Sequence, residues 1–229
     1  DKLAVAGQMA AAIAHEVRNP MTTIRGMIQF LGSTTSDPKL KEHSPLLIEE
    51  LDRTNKIITD YLSMVKPDEP KLERISLENV LIDVVSLTAP YGAINNVEVT
   101  TSKIGSYQVC IDEQKLKQGL INIIKNGIEA IEENGTIHVY QYKLTKRNIT
   151  IAIEDNGKGM TETELEQIGL PFYTTKAKGT GLGMMVTYKL IQDMGGKLRY
   201  ESELNEGTRV LLTLPLYTKS NPLPEEVIE

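Results

Sequence analysis

The chain has 229 residues, enough for one or two domains, and its 40% hydrophobic and 24% charged residues are the balance of a folded chain that buries a core. A net charge of −6 argues against a general nucleic-acid binder, no apolar run reaches the ~18 residues that span a bilayer, and no signal peptide opens the sequence. The single cysteine, Cys110, cannot close an internal disulfide; between Val109 and Ile111 it reads as a buried core thiol. A cytoplasmic location is expected. Because the sequence opens in mid-helix without methionine, it is expected to be a piece of a longer protein, with any sensor or membrane segment outside it.

Residues 1 to about 32 read as one helix. Leu3, Ala10, Val17, Ile24 and Leu31 recur every seven positions, with Ala6, Ile13, Pro20 and Met27 three residues later, which is the a/d seam of a helix in a bundle. Counting Ala10 as a, His15 falls at f, away from the seam, and Pro20 should bend the helix just beyond it. Gly32 to Pro38 breaks the helix, and a second amphipathic helix is expected from about Ser44 to Val65, with Leu47, Leu51, Thr54, Ile58, Tyr61 and Val65 on its apolar side. The two form a hairpin, apolar beyond one stripe per helix, which should dimerise into a four-helix bundle. Lys66-Pro67-Asp68-Glu69-Pro70 reads as a linker.

Beyond it the pattern alternates strands and helices. Ser76 should cap a helix to about Tyr91; strands follow at 97–101 and 107–111, a long helix at 113–133, a strand pair at 136–144 and 148–154, then an irregular glycine-rich stretch at 157–183. A helix to about Met194 and strands at 197–203 and 208–214 complete an α+β sandwich, a mixed sheet with helices on one face. The expected divisions are a hairpin at 1–66, a linker at 67–75, a second domain at 76–217 and a disordered tail at 218–229.

Three motifs in the second domain carry chemistry. Gln118, Asn122, Asn126, Glu129 and Glu133 form a polar stripe on the long helix; asparagine is a poor mid-helix residue, so Asn122 and Asn126 suggest oxygens kept for a ligand. Asp155-Asn-Gly157-Lys-Gly159 puts an acceptor at a strand end beside glycines that let a flat ligand approach. Gly179-Thr-Gly181-Leu182-Gly183, opening a helix with Lys176 and Lys178 nearby, offers N–H groups and positive charge to phosphate. It is neither a Walker loop nor a Rossmann fingerprint. Singly, these motifs also fit a solvated helix face, an Asn-Gly turn and a surface loop; their order over about 60 residues is what chance does not readily produce.

His15-Glu-Val-Arg-Asn-Pro20 resembles the H-box of bacterial sensor histidine kinases. Asn122-Ile-Ile-Lys-Asn126-Gly-Ile-Glu-Ala130 resembles their N-box, Asp155 to Gly159 their first glycine box, Pro171-Phe-Tyr173 the F-box, Gly179 to Gly183 the second glycine box, and Glu206-Gly-Thr208 a reduced third. The resemblance covers about residues 1–216 in family order, and around the H-box it is similar to the sporulation kinases of spore-forming bacilli. Gly127 departs from the alanine usual in the N-box.

The resemblance implies a dimeric hairpin carrying a phospho-accepting His15 and an ATP-binding domain of the GHKL (Bergerat) type. It implies that Asp155 accepts from the adenine amino group, that Gly157 and Gly159 let the base approach, and that Asn126 holds Mg2+ with Asn122 near the phosphates. Lys125 and Lys176 are implied to neutralise phosphate, Gly179, Gly181, Leu182 and Gly183 to cap the triphosphate, and Thr208 to bond near the base. Glu16 is implied to fix the tautomer of His15 and steady its developing charge, and Glu16-x-x-Asn19 resembles a pattern that positions water for phosphatase activity on a response regulator. The implied partners are a second copy, a response-regulator receiver domain near His15 and a regulatory protein on the bundle. Hydrolytic members of the same ATPase fold carry glutamate where this chain has Asn122, so slow water attack is expected. Two rival readings remain: a GHKL serine kinase of the anti-sigma class, and a non-catalytic dimeric scaffold. His43 and His138 lack any surrounding motif and read as ordinary loop and strand residues.

Overall fold

A computed structural model describes the backbone of residues 2–65, 70–176 and 179–217, and the side chains of residues 17–62, 70–176 and 179–217. The chain divides into two compact units, 1–68 and 69–229, a boundary inside the expected linker. Residues 66–69, Lys178, the 218–229 tail, and the side chains of His15 and Glu16 lie outside the described residues.

The first unit is a helical hairpin. Its first helix, α1 (Lys2–Thr34), continues through Pro20. Proline has no donor for the Glu16 carbonyl, and in the following turn Thr22 and Thr23 donate back to the Arg18 and Asn19 carbonyls at 2.9 and 3.3 Å, the kind of back-bonding that accompanies helix bending. The second helix, α2 (Pro38–Val65), begins earlier than the expected Ser44. Asp37 Oδ1 accepts from the Lys39 N–H at 2.9 Å and Pro38 occupies the first helical position, where a missing donor costs nothing. Pro45 is accommodated because Ser44 Oγ donates to the Lys41 carbonyl at 3.4 Å, the group that Pro45 leaves without an N–H.

The two helices meet along one stripe. Arg25 donates through Nε and Nη2 to both oxygens of Asp52 at 2.7 and 3.1 Å, Arg18 reaches Thr59 Oγ1 at 3.2 Å, and a Cβ on Gly32 would fall 2.2 Å from Ser44 Oγ. Half-covered Arg18, Met21, Arg25, Ile28 and Gly32 trace this stripe. It lies one residue on from the heptad seam read in the sequence: Val17, Ile24, Met27 and Leu31 remain exposed, as do Leu47 and Tyr61 on α2. The hairpin therefore uses one face of α1 internally and leaves a second apolar face uncovered.

In the second unit, β1 (Glu73–Ser76) pairs antiparallel with β3 (Gln108–Ile111), so the last positions of the expected linker are strand. Ser76 caps α3 (Leu77–Ile94). The main sheet comprises β2 (Val97–Thr101), β4 (Gly135–Leu144), β5 (Asn148–Asp155), β7 (Gly207–Pro215) and β6 (Lys197–Glu203), in the order β2-β4-β5-β7-β6. Only β2 and β4 run parallel. One face of it, built from Ile137, Val139, Ile149, Ile151, Ile153, Val210, Leu212 and Leu214, shares a core with α3 and with α4 (Glu113–Ala130), through Leu77, Leu81, Leu116, Leu120, Ile124 and Ile128. The long helix thus ends at Ala130, leaving Glu133 outside it. Asp112 caps α4, accepting from the Lys115 N–H at 3.0 Å with one oxygen and from Lys71 N–H at 3.0 Å with the other. The expected irregular stretch contains a short helix, α5 (Glu162–Gln167), and leads to α6 (Gly183–Asp193).

Cys110 is only half-buried, a correction to its expected core position. On β3 its neighbours Val109 and Ile111 point into the core, so strand alternation turns Cys110 the other way. Burial still pushes its thiol above the ordinary range.

Candidate functional site

The polar face of α4 is held against the start of α6. Thr187, almost wholly buried one turn into α6, gives its hydroxyl hydrogen to the Gly183 carbonyl at 2.9 Å. Its oxygen is then an acceptor, so the Asn122 atom 2.7 Å away is the amide nitrogen. Asn126 is fixed by the same accounting: its Nδ2 donates to the Met184 sulfur at 2.9 Å, and its Oδ1 accepts from Lys176 Nζ at 2.7 Å. A thioether cannot donate and an ammonium cannot accept, so neither end of this amide can be exchanged. Lys176 also donates to Glu129, one turn further along α4.

Lys125 is not brought to this cluster. Its ammonium lies 5.3 Å from the ring centre of Tyr91 on α3, and Tyr91 donates to the other Glu129 oxygen at 3.3 Å.

Asp155 closes β5 opposite Thr208 of β7. It is 8% exposed, and burial pushes its carboxyl up to about 6 although backbone N–H groups of Gly157 and Thr208 both donate to it. A buried carboxylate with two N–H donors still prefers a further donor, which an exocyclic amine would supply. Gly127 of α4 lies against it: a Cβ there would come within 3.3 Å of Asp155 Oδ2 and 3.0 Å of Ile137 Cδ1. The glycine turn after Asp155 is locked by backbone crowding. Gly159 has φ +63°, and a Cβ on it would stand 1.9 Å from the Glu203 carbonyl. Ser202, unremarked in the sequence, joins this turn to the β6–β7 hairpin. Its hydroxyl donates to the Gly207 carbonyl at 2.8 Å and accepts from Met160 N–H at 2.9 Å and from Thr208 Oγ1 at 2.8 Å.

The second glycine loop is anchored by Leu182, fully buried at the head of α6, whose N–H donates to Thr180 Oγ1 at 3.3 Å. Gly181, at φ +68°, backs onto Phe172, where a Cβ would meet the Phe172 carbonyl carbon at 2.3 Å. The Gly179 N–H donates to the Lys176 carbonyl at 3.1 Å, tying the loop to its lysine. Gly183 Cα faces the Asn122 amide. The structure therefore gathers Asn122, Asn126, Lys176 and the second glycine loop along the polar face of the C-terminal half of α4, with Asp155 against Gly127 and Gly157 against Ala130 at the end of the same helix.

The donor set suits a hard cation. Asn126 Oδ1 already takes a positive charge, and among the described residues no group of three His, Cys, Asp or Glu could hold a metal alone, so a ligand's own oxygens would have to complete the shell.

The family described as "Histidine kinase-, DNA gyrase B-, and HSP90-like ATPase" matches residues 111–218, and the "His Kinase A (phospho-acceptor) domain" matches residues 6–70. The chain is 39% identical over 218 residues to sporulation kinase E of Bacillus subtilis, spanning 94% of this chain and 29% of that protein. The chain belongs to the sensor histidine kinases. Among solved structures, this kinase core is similar to histidine kinase ThkA in complex with response regulator TrrA, with TM-score 0.67 and 28% identity over 94% of this chain and 63% of that one. It also shares the fold of full-length ShkA in complex with AMPPNP, with TM-score 0.79 at 23% identity over 94% of this chain and 47% of that one. No helix among the described residues of the kinase core is long and apolar enough to cross a membrane.

Proposed function

We propose that this kinase core binds ATP in its second unit, transfers the γ-phosphoryl group to His15, and passes it to an aspartate of a response regulator. The observation that carries the reading is the pair Asn122 and Asn126, amides pinned by Thr187 and Met184, with Lys176 on the second. Asp155 accepts from the adenine amino group. Lys176 and the N–H groups at the head of α6 receive phosphate. Asn126 would hold Mg2+, which would neutralise phosphate charge.

At His15 the neutral ring nitrogen attacks the γ-phosphorus as its bond to the bridging oxygen breaks and ADP leaves, and Glu16 takes the opposite N–H, fixing the tautomer and steadying the imidazolium. Asn122 has no basic lone pair with which to activate water, so the phosphoryl group reaches histidine rather than solvent. Thr22 and Gln29, which share the f register one and two heptads on, are exposed. The uncovered stripe Val17, Ile24, Met27 and Leu31 binds a second copy. By likeness to sporulation kinase E, the regulator belongs to a sporulation phosphorelay. Glu16 and Asn19 additionally position water for regulator dephosphorylation; Asn19→Ala should abolish that activity while autophosphorylation survives, and unchanged dephosphorylation would remove this part.

Incubation with γ-labelled ATP tests the core reaction. Wild type should take up label that is lost in acid and kept in base, and His15→Gln and Asn126→Asp should take up none. Label on His15→Gln would overturn the assignment, and acid-stable label would point to a serine kinase instead.

A further inference from the structure

Lys176 reaches α4 from the segment between α5 and α6, and its one ammonium donates to two side chains a turn apart, Asn126 at 2.7 Å and Glu129. Residues spaced i, i+3 share a helix face, and a single nitrogen touching both means that the amide oxygen and the carboxylate converge on one point. The convergence is imposed from behind. Met184 takes the Asn126 N–H, and the Tyr91 hydroxyl takes the far oxygen of Glu129 at 3.3 Å, which turns the near oxygen toward the lysine. Lys125, the nearest other cation on α4, is drawn off over the Tyr91 ring.

Recognition of base or phosphate gives Glu129 no task. A carboxylate facing a triphosphate repels it unless a cation stands between them. An asparagine alone brings Mg2+ no charge, whereas that ion is commonly held by one or two carboxylates together with substrate phosphates. The side chains of the Lys176–Glu129 pair are 37% and 40% exposed, so it is weak and readily exchanged.

We infer that Asn126 and Glu129 together form the divalent-cation seat of the nucleotide site, and that Lys176 is its tethered stand-in, moving to the phosphates when the metal takes the seat. The inference rests on the nucleotide reading above. An ammonium and a divalent ion cannot share two oxygens, so metal entry and lysine release are one event, and the nucleotide arrives with the metal that frees its own lysine.

Binding of a fluorescent ATP analogue to the full chain, titrated with Mg2+ from an EDTA-treated start, separates the possibilities. Glu129→Gln should raise the Mg2+ concentration for half-maximal tightening roughly tenfold, the scale of loss expected when a metal site is impaired, with binding in EDTA no weaker than wild type. In the double variant Glu129→Gln should still raise that concentration relative to Lys176→Gln alone. An unchanged Mg2+ midpoint in Glu129→Gln, or loss of its effect in the Lys176→Gln background, would overturn the seat. Absence of nucleotide binding by wild type at any Mg2+ concentration would instead overturn the ATP reading.

Discussion

Asp155, proposed to meet the adenine amine, is where the fold gives up stability. With its carboxyl raised to about 6 by burial, the ionised form is disfavoured in the folded chain relative to the unfolded one, on the order of 3 kcal/mol at about 1.4 kcal/mol per pKa unit. A raised folded pKa means that this cost is absent below the unfolded pKa near 4, grows as pH rises, and is complete above about 6. Asp155→Asn should therefore melt higher than wild type at pH 8, with the gain shrinking as pH falls to 4, and should bind no adenine nucleotide. Thermal melts at several pH values and a binding assay check both. Thr187 is a second residue of this kind. Its hydroxyl decides which end of the Asn122 amide faces the glycine loop, so Thr187→Val, which keeps the shape, should weaken Mg2+-dependent nucleotide binding several-fold, and Thr187→Ser should restore it.

At the scale of elements, α4 matters most, since its cap, its buried face and its polar face do three separate jobs. Asp112 ties its first turn to the start of the second unit through Lys71. Asp112→Ala should cost about 1–2 kcal/mol of stability, read by denaturant unfolding, and should loosen nucleotide binding because Asn122 and Asn126 ride on the same helix. The helix was legible in the sequence because its apolar period is long and its asparagines stand out against it. The contacts that complete it were not: Lys176 meets Asn126 and Glu129 from nearly fifty residues away, and no local pattern encodes that approach. Other differences were within reach. Asp37-Pro38 is a stronger helix start than Ser44-Pro45, and Thr161-x-x-Glu164 is a capping box, with both reciprocal bonds present, that announces α5. Six residues are too few for a period to show, and the surrounding glycines hid the signal. In α1 the heptad period was right, but a period cannot say which of two stripes faces which neighbour; the cross-links from Arg18, Arg25 and Gly32 decide it.

For the whole molecule, the uncovered stripe of the hairpin is the main structural demand. Val17, Ile24, Met27 and Leu31 expose apolar surface along one side of α1, an arrangement that a lone chain in water does not favour. Ile24→Glu combined with Leu31→Glu should convert a dimer to a monomer by light scattering, while the second unit keeps its affinity for nucleotide. Loss of nucleotide binding in that variant would mean that the units depend on each other for folding. On the proposed reading the two units divide the labour: one carries the acceptor histidine, and the other collects purine, phosphate and cation.

The strained chemistry of Asp155 also has a calorimetric signature. A purine amine that donates to it favours its ionised form, so near pH 6 each binding event must expel part of a proton. The observed heat of binding at that pH should then vary with the ionisation enthalpy of the buffer, and the dependence should vanish at pH 8. The kinase core would thus release protons slightly whenever it loads nucleotide in mildly acid conditions, and would load less readily as the pH falls.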